Sequence, residues 1–230
     1  MRYELLENIA LITIDDGKAN AVGHALLDFT NESLDRATAD GAAAVILQGR
    51  EGLFSAGFDL KEFEKGMEAG LSMVSRGFEL LIRLYGLPQP VIAACTGHGV
   101  ALGAFILLAC DTRIGARGDF RITLPETRIN MELPYLLQAL CADRLSPNYM
   151  TQAVVQSQVF SPEEAVKAGF LDRVVAPEEL QDAAMATASE LAQLPQKYYG
   201  ANKRFMREQT LSRMQLELDK MRAAATQHSA

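Results

Sequence analysis

The stretch Pro90-Val91-Ile92-Ala93-Ala94-Cys95-Thr96-Gly97-His98-Gly99-Val100-Ala101-Leu102-Gly103-Ala104-Phe105-Ile106-Leu107-Leu108-Ala109-Cys110-Asp111 decides how this chain folds. Its opening run is short, unbroken and apolar, the pattern of a strand buried on both faces. Gly97, Gly99 and Gly103 punctuate what reads as a turn, and the apolar run into Asp111 reads as a buried helix. Glycines at such a place let backbone approach a ligand or another backbone, and the helix directs its free N–H groups at the turn.

The same kind of unit recurs on both sides. Downstream, residues 112–116 read as another strand, leading through Gly118 into Phe120-Arg121-Ile122. Upstream, residues 3–6 and 9–14 form a hairpin pattern around Glu7-Asn8, followed by the polar loop Asp15-Asp16-Gly17-Lys18-Ala19-Asn20-Ala21. A helix is expected over residues 23–38, with Ala25, Leu26, Phe29 and Leu34 on its buried face. Residues 42–48 are the next strand, and a helix is expected over residues 67–85 before Pro88 and Pro90 interrupt the chain. This strand, strand, helix rhythm predicts an α/β fold wound in a right-handed sense.

Beyond Pro134 the pattern is almost wholly helical. Ser161-Pro162-Glu163-Glu164 is a helix start, with proline at the first helical position and glutamate at the third. Ala168-Gly169 ends that helix, residues 171–175 are a brief extended run, and Pro177-Glu178-Glu179 opens the next helix. Pro195 separates it from a last helix whose Met206, Leu211, Met214, Leu216, Leu218 and Met221 exceed what a free tail needs. That helix is expected to pack on the core or on another subunit. The chain is accordingly divided into a spiral core, residues 1–190, and a helical region, residues 191–230, that serves packing and oligomerisation.

With 230 residues, 49% hydrophobic and 22% charged, the chain has the make-up of one globular domain with a substantial core. A net charge of −7 argues against nucleic acid as a partner, whereas a small anionic ligand is compatible because local donors can hold it. No apolar run approaches a membrane span and Met1-Arg2-Tyr3-Glu4 enters directly into strand-like sequence, so a cytoplasmic protein without membrane contact is expected. Cys95, Cys110 and Cys141 are widely spaced in apolar surroundings and are expected to be reduced core residues. His24, His98 and His228 are too scattered to suggest a metal, and no cofactor is predicted.

Chemistry enters with Phe54-Ser55-Ala56-Gly57-Phe58-Asp59-Leu60. A strand end that passes through Ser-Ala-Gly into a helix start presents backbone N–H groups with little bulk around them, and such a turn can hold an oxyanion. By itself it reads equally well as a tight connection. Together with the turn at Gly97, Gly99 and Gly103 it gives the chain two small-residue turns, each able to supply one donor. Asp59 is read as an N-cap, Asp111 as the tie between a helix end and its strand, and His98 as structural.

In their order and spacing these segments resemble the crotonase family, also called the enoyl-CoA hydratase/isomerase family. Lys18-Ala19-Asn20-Ala21-Val22 looks like its early Asn-Ala loop, residues 54–61 like its first oxyanion turn, and residues 97–111 like its second turn and helix. Ser161-Pro162-Glu163-Glu164-Ala165 with Ala168-Gly169-Phe170-Leu171-Asp172-Arg173-Val174-Val175 resembles its C-terminal signature. The resemblance implies a spiral of β-β-α turns, a helical C-terminal part that forms a trimer or a dimer of trimers, and an acyl-CoA thioester as substrate in fatty-acid metabolism. It implies that the thioester carbonyl accepts from the N–H groups of Phe58 and Leu102. CoA would then lie along Lys18, Ala19, Ala56 and the backbone of residues 58–61, with Gly57, Asp59, Leu60, Lys61 and Gly103 among the substrate contacts. Lys203 is read either as a reach toward a CoA phosphate or as a plain surface lysine.

The family's hydratases use two glutamates. At the first of these positions this chain has Phe105, and the second falls at Glu126, with Glu132 as a nearby candidate on the same pocket wall. Hydration divides well between two carboxylates, whereas shifting a double bond from C3 to C2 needs a single base. The expected activity is therefore an enoyl-CoA isomerase with Glu126 as base and Phe105 drying the site. Competing readings are a hydratase, a catalytically inactive acyl-CoA binder, and a Glu126 that merely caps a helix or pairs with Arg121 or Arg128. A nucleotide-phosphate turn at Gly97 is disfavoured, because such a turn belongs to the first strand of its fold.

Overall fold

The computed structural model describes the backbone of residues 1–228 and the side chains of residues 1–225. The side chain of His228, one of the three scattered histidines, lies outside that part. The chain winds as successive layers in which one strand joins a large sheet and the next joins a small one. The large sheet has the order β1 (Arg2–Leu6), β2 (Ile9–Thr13), β4 (Ala44–Gln48), β7 (Val91–Cys95), β9 (Thr112–Ala116), β11 (Arg173–Val175). β1 is antiparallel to β2 through the hairpin read from Glu7-Asn8, and the remaining neighbours are parallel. The small sheets are β3 (Ala21–Val22) on β6 (Gly57–Phe58), and β5 (Gly52–Ser55), β8 (Gly97–Val100), β10 (Ile122–Thr123) in the order β10-β8-β5.

Burial alternates along the large sheet as a period of two requires. Ala10, Ile12, Val45, Leu47, Val91 and Ala93 face the main core, while Ile9, Leu11, Ala44, Ile46, Ile92 and Ala94 face a second cluster. That second cluster is closed by Leu180, Ala184 and Ala188 of α7 (Leu180–Ala192). Both faces are thus covered, which is why these strands read as unbroken apolar runs. On the main-core side lie α1 (His24–Ala39), the five-residue α2 (Leu60–Glu64), α3 (Met67–Gly86) and α4 (Leu102–Ala109). All eight residues of α4 are buried, as its uniformly apolar sequence demands. Then come α5 (Tyr135–Arg144), α6 (Pro162–Ala168) and α8 (Gln196–His228), which packs on α3 and α5.

Several expectations are corrected in detail. The buried face of α1 is centred on Leu26, Leu27, Thr30, Leu34 and Ala37, and Ala25 is exposed. Gly97 and Gly99 do not make a turn but belong to β8. A Cβ on Gly97 would fall 2.0 Å from the Gly52 carbonyl carbon, so this glycine lets β8 lie close beside β5, where Gly97 stands opposite Gly52. In α8, Met214 and Leu218 are buried in the main core and Leu211 and Met221 pack against it, whereas Met206 and Leu216 are exposed. α6 has the anticipated capping box, with Glu164 N–H donating to Ser161 Oγ and Ser161 N–H donating to Glu164 Oε2, and Gly169 ends it at φ 92°. Among the described residues no helix is long and apolar enough to cross a membrane.

Candidate active site

The two small-residue turns meet. β3 holds β6 in parallel register, Val22 opposite Phe58, with Asp59 N–H donating to Val22 O at 3.2 Å and Ala56 N–H to Ala19 O at 3.2 Å. Amides of a strand face alternate sides, so the Phe58 N–H, next to that of Asp59, is turned away from β3. Gly57 sits at φ 95°, a conformation that excludes most side chains, and a Cβ there would lie 2.8 Å from Ala101 Cβ and 3.4 Å from Leu102 N. Leu102 is the first residue of α4, and its N–H has no intrahelical partner. Gly57 thus lies beside the Leu102 N–H at the N-terminus of a buried helix, where partial positive charge favours an anion.

Two residues that the sequence reading quoted without a role hold the first turn in place. Asn20, fully buried, donates from Nδ2 to Ile14 O at 2.9 Å and Phe54 O at 3.2 Å, and its Oδ1 accepts from Asp16 N–H. Ser55 Oγ donates to Asn20 O at 2.8 Å and accepts from Gly57 N–H at 3.3 Å. The signal for Asn20 lay in its kind: asparagine tolerates the positive φ of 46° that it adopts here. Gly103 permits α4 to approach β5, since a Cβ on it would be 2.4 Å from Ser55 O.

The carboxylate arrives from β10. Ala101 N–H donates to Thr123 O at 3.0 Å, and Glu126 follows Thr123 by three residues, so its backbone begins within about 10 Å of Thr123. Glu126 opens a 3₁₀ turn over Glu126–Ile129 that is fastened by Met131 N–H to Glu126 O at 2.8 Å and by Arg128 to the Ser157 hydroxyl and carbonyl. Its side chain is 8% exposed, Oε2 is buried with no hydrogen-bond partner, and no ion pair reaches it among the described residues. Burial therefore raises its pKa above the ordinary carboxylate range, opposed by a hydrogen bond from its own backbone N–H. The cap or ion-pair role with Arg121 or Arg128 is not what the structure shows. Glu132, beyond the left-handed Asn130, is exposed. Phe105 is fully buried in the main core, one turn into α4.

The remaining residues sort clearly. Lys18, Ala19, Ala56, Leu60 and Lys61 are exposed on the edge that β3 and β6 build, and Asp59 caps α2 by accepting from Lys61 N–H at 3.0 Å. His98 Nδ1 accepts from Arg121 N–H at 2.9 Å and its ring meets Phe120 edge-on, a structural placement. Lys203 is neither a surface lysine nor free for a phosphate: it is buried and donates to Asp111 Oδ2 at 2.6 Å and Gln89 O at 3.1 Å. Asp111 also accepts from Val91 N–H at 2.7 Å and pairs with Arg207 at 2.8 Å, and so fastens the end of α4 to β7 and α8. An open cleft of about 510 Å³ beside Lys203 and Arg207 lies at this far end of α4, away from the donor turns. Among the described residues no three His, Cys, Asp or Glu side chains converge as a metal would require.

The sequence model of the enoyl-CoA hydratase/isomerase family matches residues 4–230. The chain belongs to that family. Its relatives include a carnitinyl-CoA dehydratase of Salmonella enteritidis, 32% identical over 196 residues that cover 78% of this chain and 69% of that protein. Among solved structures it is similar to a Mycobacterium tuberculosis protein that is called an enoyl-CoA isomerase in one structure, with TM-score 0.92, 36% identity, and coverage of 96% of this chain and 97% of that one, and a probable enoyl-CoA hydratase in another, with TM-score 0.93, 35% identity, and coverage of 99% and 97%. It is also similar to the human mitochondrial Δ3-Δ2-enoyl-CoA isomerase, with TM-score 0.85, 26% identity, and coverage of 96% and 91%. This enoyl-CoA hydratase/isomerase family member therefore has the crotonase fold that the resemblance implied, and an enzyme of this family is the frame for its site.

Proposed function

We propose that the protein is an enoyl-CoA isomerase that moves a double bond from C3 to C2 of an acyl-CoA thioester, with Glu126 as its base. The thioester oxygen accepts from the Phe58 and Leu102 N–H groups. Glu126 removes a proton from C2, the electron pair passes into the carbonyl to give an enolate, and the same carboxyl returns the proton at C4 as the double bond forms between C2 and C3. Atoms and charge balance without a co-reactant. The observation that carries this reading is Glu126 Oε2, buried and without a partner, on the segment that follows the Thr123–Ala101 bond. A dry carboxylate is a stronger base toward carbon than a solvated one, and it keeps the proton it has taken until C4 receives it. Phe105, where a hydratase of the family has its first glutamate, supports one base over two. CoA would run along the exposed edge at Lys18, Ala19, Ala56 and Lys61, with Gly57, Asp59, Leu60 and Gly103 lining the thioester end. The exposed Tyr198, Phe205 and Met206 of α8 suit contacts between copies, so a homotrimer or a dimer of trimers is the proposed assembly, to be read by sedimentation.

The test supplies the purified protein with a 3-enoyl-CoA and, separately, a 2-enoyl-CoA. Double-bond shift is expected, and Glu126→Gln should lower its kcat by about 10²–10⁴-fold while Glu132→Gln leaves it unchanged. Formation of 3-hydroxyacyl-CoA without any shift would make the protein a hydratase. Tight acyl-CoA binding with neither product would make it a binder.

A further inference from the structure

Ala101 stands at φ 50°, ψ −124°, the first-corner geometry of a type II′ turn, which glycine normally occupies. Glu7, Asn20, Asn130 and Ser157 also have positive φ, but each carries a polar side chain, whereas Ala101 has only a methyl group to set against the strain. Its backbone is fully engaged: the N–H donates to Thr123 O at 3.0 Å, and the carbonyl accepts from Ala104 N–H at 2.9 Å and Phe105 N–H at 3.2 Å. The methyl itself faces Gly57, where a Cβ would come within 2.8 Å of it. The strained residue is thus one peptide before the Leu102 N–H, and its side chain lies against the residue one before the Phe58 N–H. A conformation of this kind persists only where the surroundings over-determine it.

We infer that the Ala101 methyl is a positioning wedge, held in a glycine conformation between the two turns so that it fixes the spacing and direction of the Leu102 donor relative to the Phe58 donor. This rests on the reading of those two N–H groups as the oxyanion site. Glycine at this position would adopt the same φ and ψ without strain, but would widen the range of φ and ψ open to the residue before the Leu102 N–H and would remove the methyl that faces Gly57. Stability and catalysis should therefore move in opposite directions.

The experiment compares wild type, Ala101→Gly and Ala101→Ser, the last of which keeps a Cβ. Ala101→Gly should raise Tm by about 2–4 °C. It should lower kcat about tenfold with KM changed less than twofold, because a misdirected donor is felt where charge develops. Ala101→Ser should stay within about twofold of wild type in kcat. A second readout does not need turnover: bound dienoyl-CoA absorbs at longer wavelength when its carbonyl is polarised, and that red shift should shrink in Ala101→Gly and persist in Ala101→Ser. Wild type that binds dienoyl-CoA with no red shift would overturn the oxyanion reading and the wedge together. A normal red shift and kcat in Ala101→Gly, or a lower Tm, would overturn the wedge and leave the oxyanion reading standing.

Discussion

Glu126 has an electrostatic consequence that reaches beyond catalysis. Because burial holds its carboxyl above the ordinary range, the folded chain binds that proton more tightly than the unfolded chain does. Stability then falls as pH rises from the ordinary carboxyl pKa to the raised one, and the penalty is complete above it. Glu126→Gln should accordingly melt higher than wild type at about pH 8, with the difference fading below about pH 4, as calorimetry across that range would show. A deprotonated base is needed for turnover, so kcat/KM should fall on the acid side at a pH above the ordinary carboxylate range. At this scale the sequence reading misplaced Lys203, which is a buried partner of Asp111. A lysine in a polar helical stretch carries no sign that its partner, Asp111, lies 92 residues away.

The element that joins these residues is α4. Its N-terminus presents Leu102, and its far end is fixed by Asp111, whose carboxylate holds Val91 N–H, Lys203 and Arg207. Lys203 and Arg207 have side chains only 6% and 3% exposed, so they depend on that carboxylate for their charge. Asp111→Asn should cost about 3–5 kcal/mol in urea unfolding, since it leaves two buried cations without a counter-charge. Its carbonyl ends are further held by Arg144, which donates to Leu108 O at 3.1 Å and Cys110 O at 2.9 Å. Arg144 pays for this in its pKa, which burial and the neighbouring Arg113 and Arg207 lower to about 10. The helix itself was legible because its residues are apolar all round, and so was the tie from Asp111 to its strand; the ties from Arg144, Lys203 and Arg207 were not, because they come from α5 and α8.

At the scale of the molecule, the spiral is closed by α8, a 33-residue helix whose Met214 and Leu218 enter the same core as α3 and α4. Met214→Ala should destabilise the whole domain by about 2–5 kcal/mol, read as a shift in the urea midpoint with unchanged slope, because the cavity would open in the shared core. A separate, local transition confined to α8 would contradict this. The Tyr85 ring under the Arg207 guanidinium, 4.1 Å from the ring centre, adds a further contact of the same helix to α3.

Local pattern by itself determined the β-β-α rhythm, the buried strands and the capping box at Ser161. These follow from side-chain period, backbone freedom and capping chemistry, all of which act over a few residues. Tertiary structure alone decided what the pieces do together. It showed that Gly97 and Gly103 serve close packing, that Ala101 bears a glycine's conformation, and that Glu126 is dry and unpaired while Glu132 is exposed. Each of these depends on atoms brought from distant turns of the spiral. Burial and close approach are properties of neighbours in space, and a sequence records neighbours along the chain.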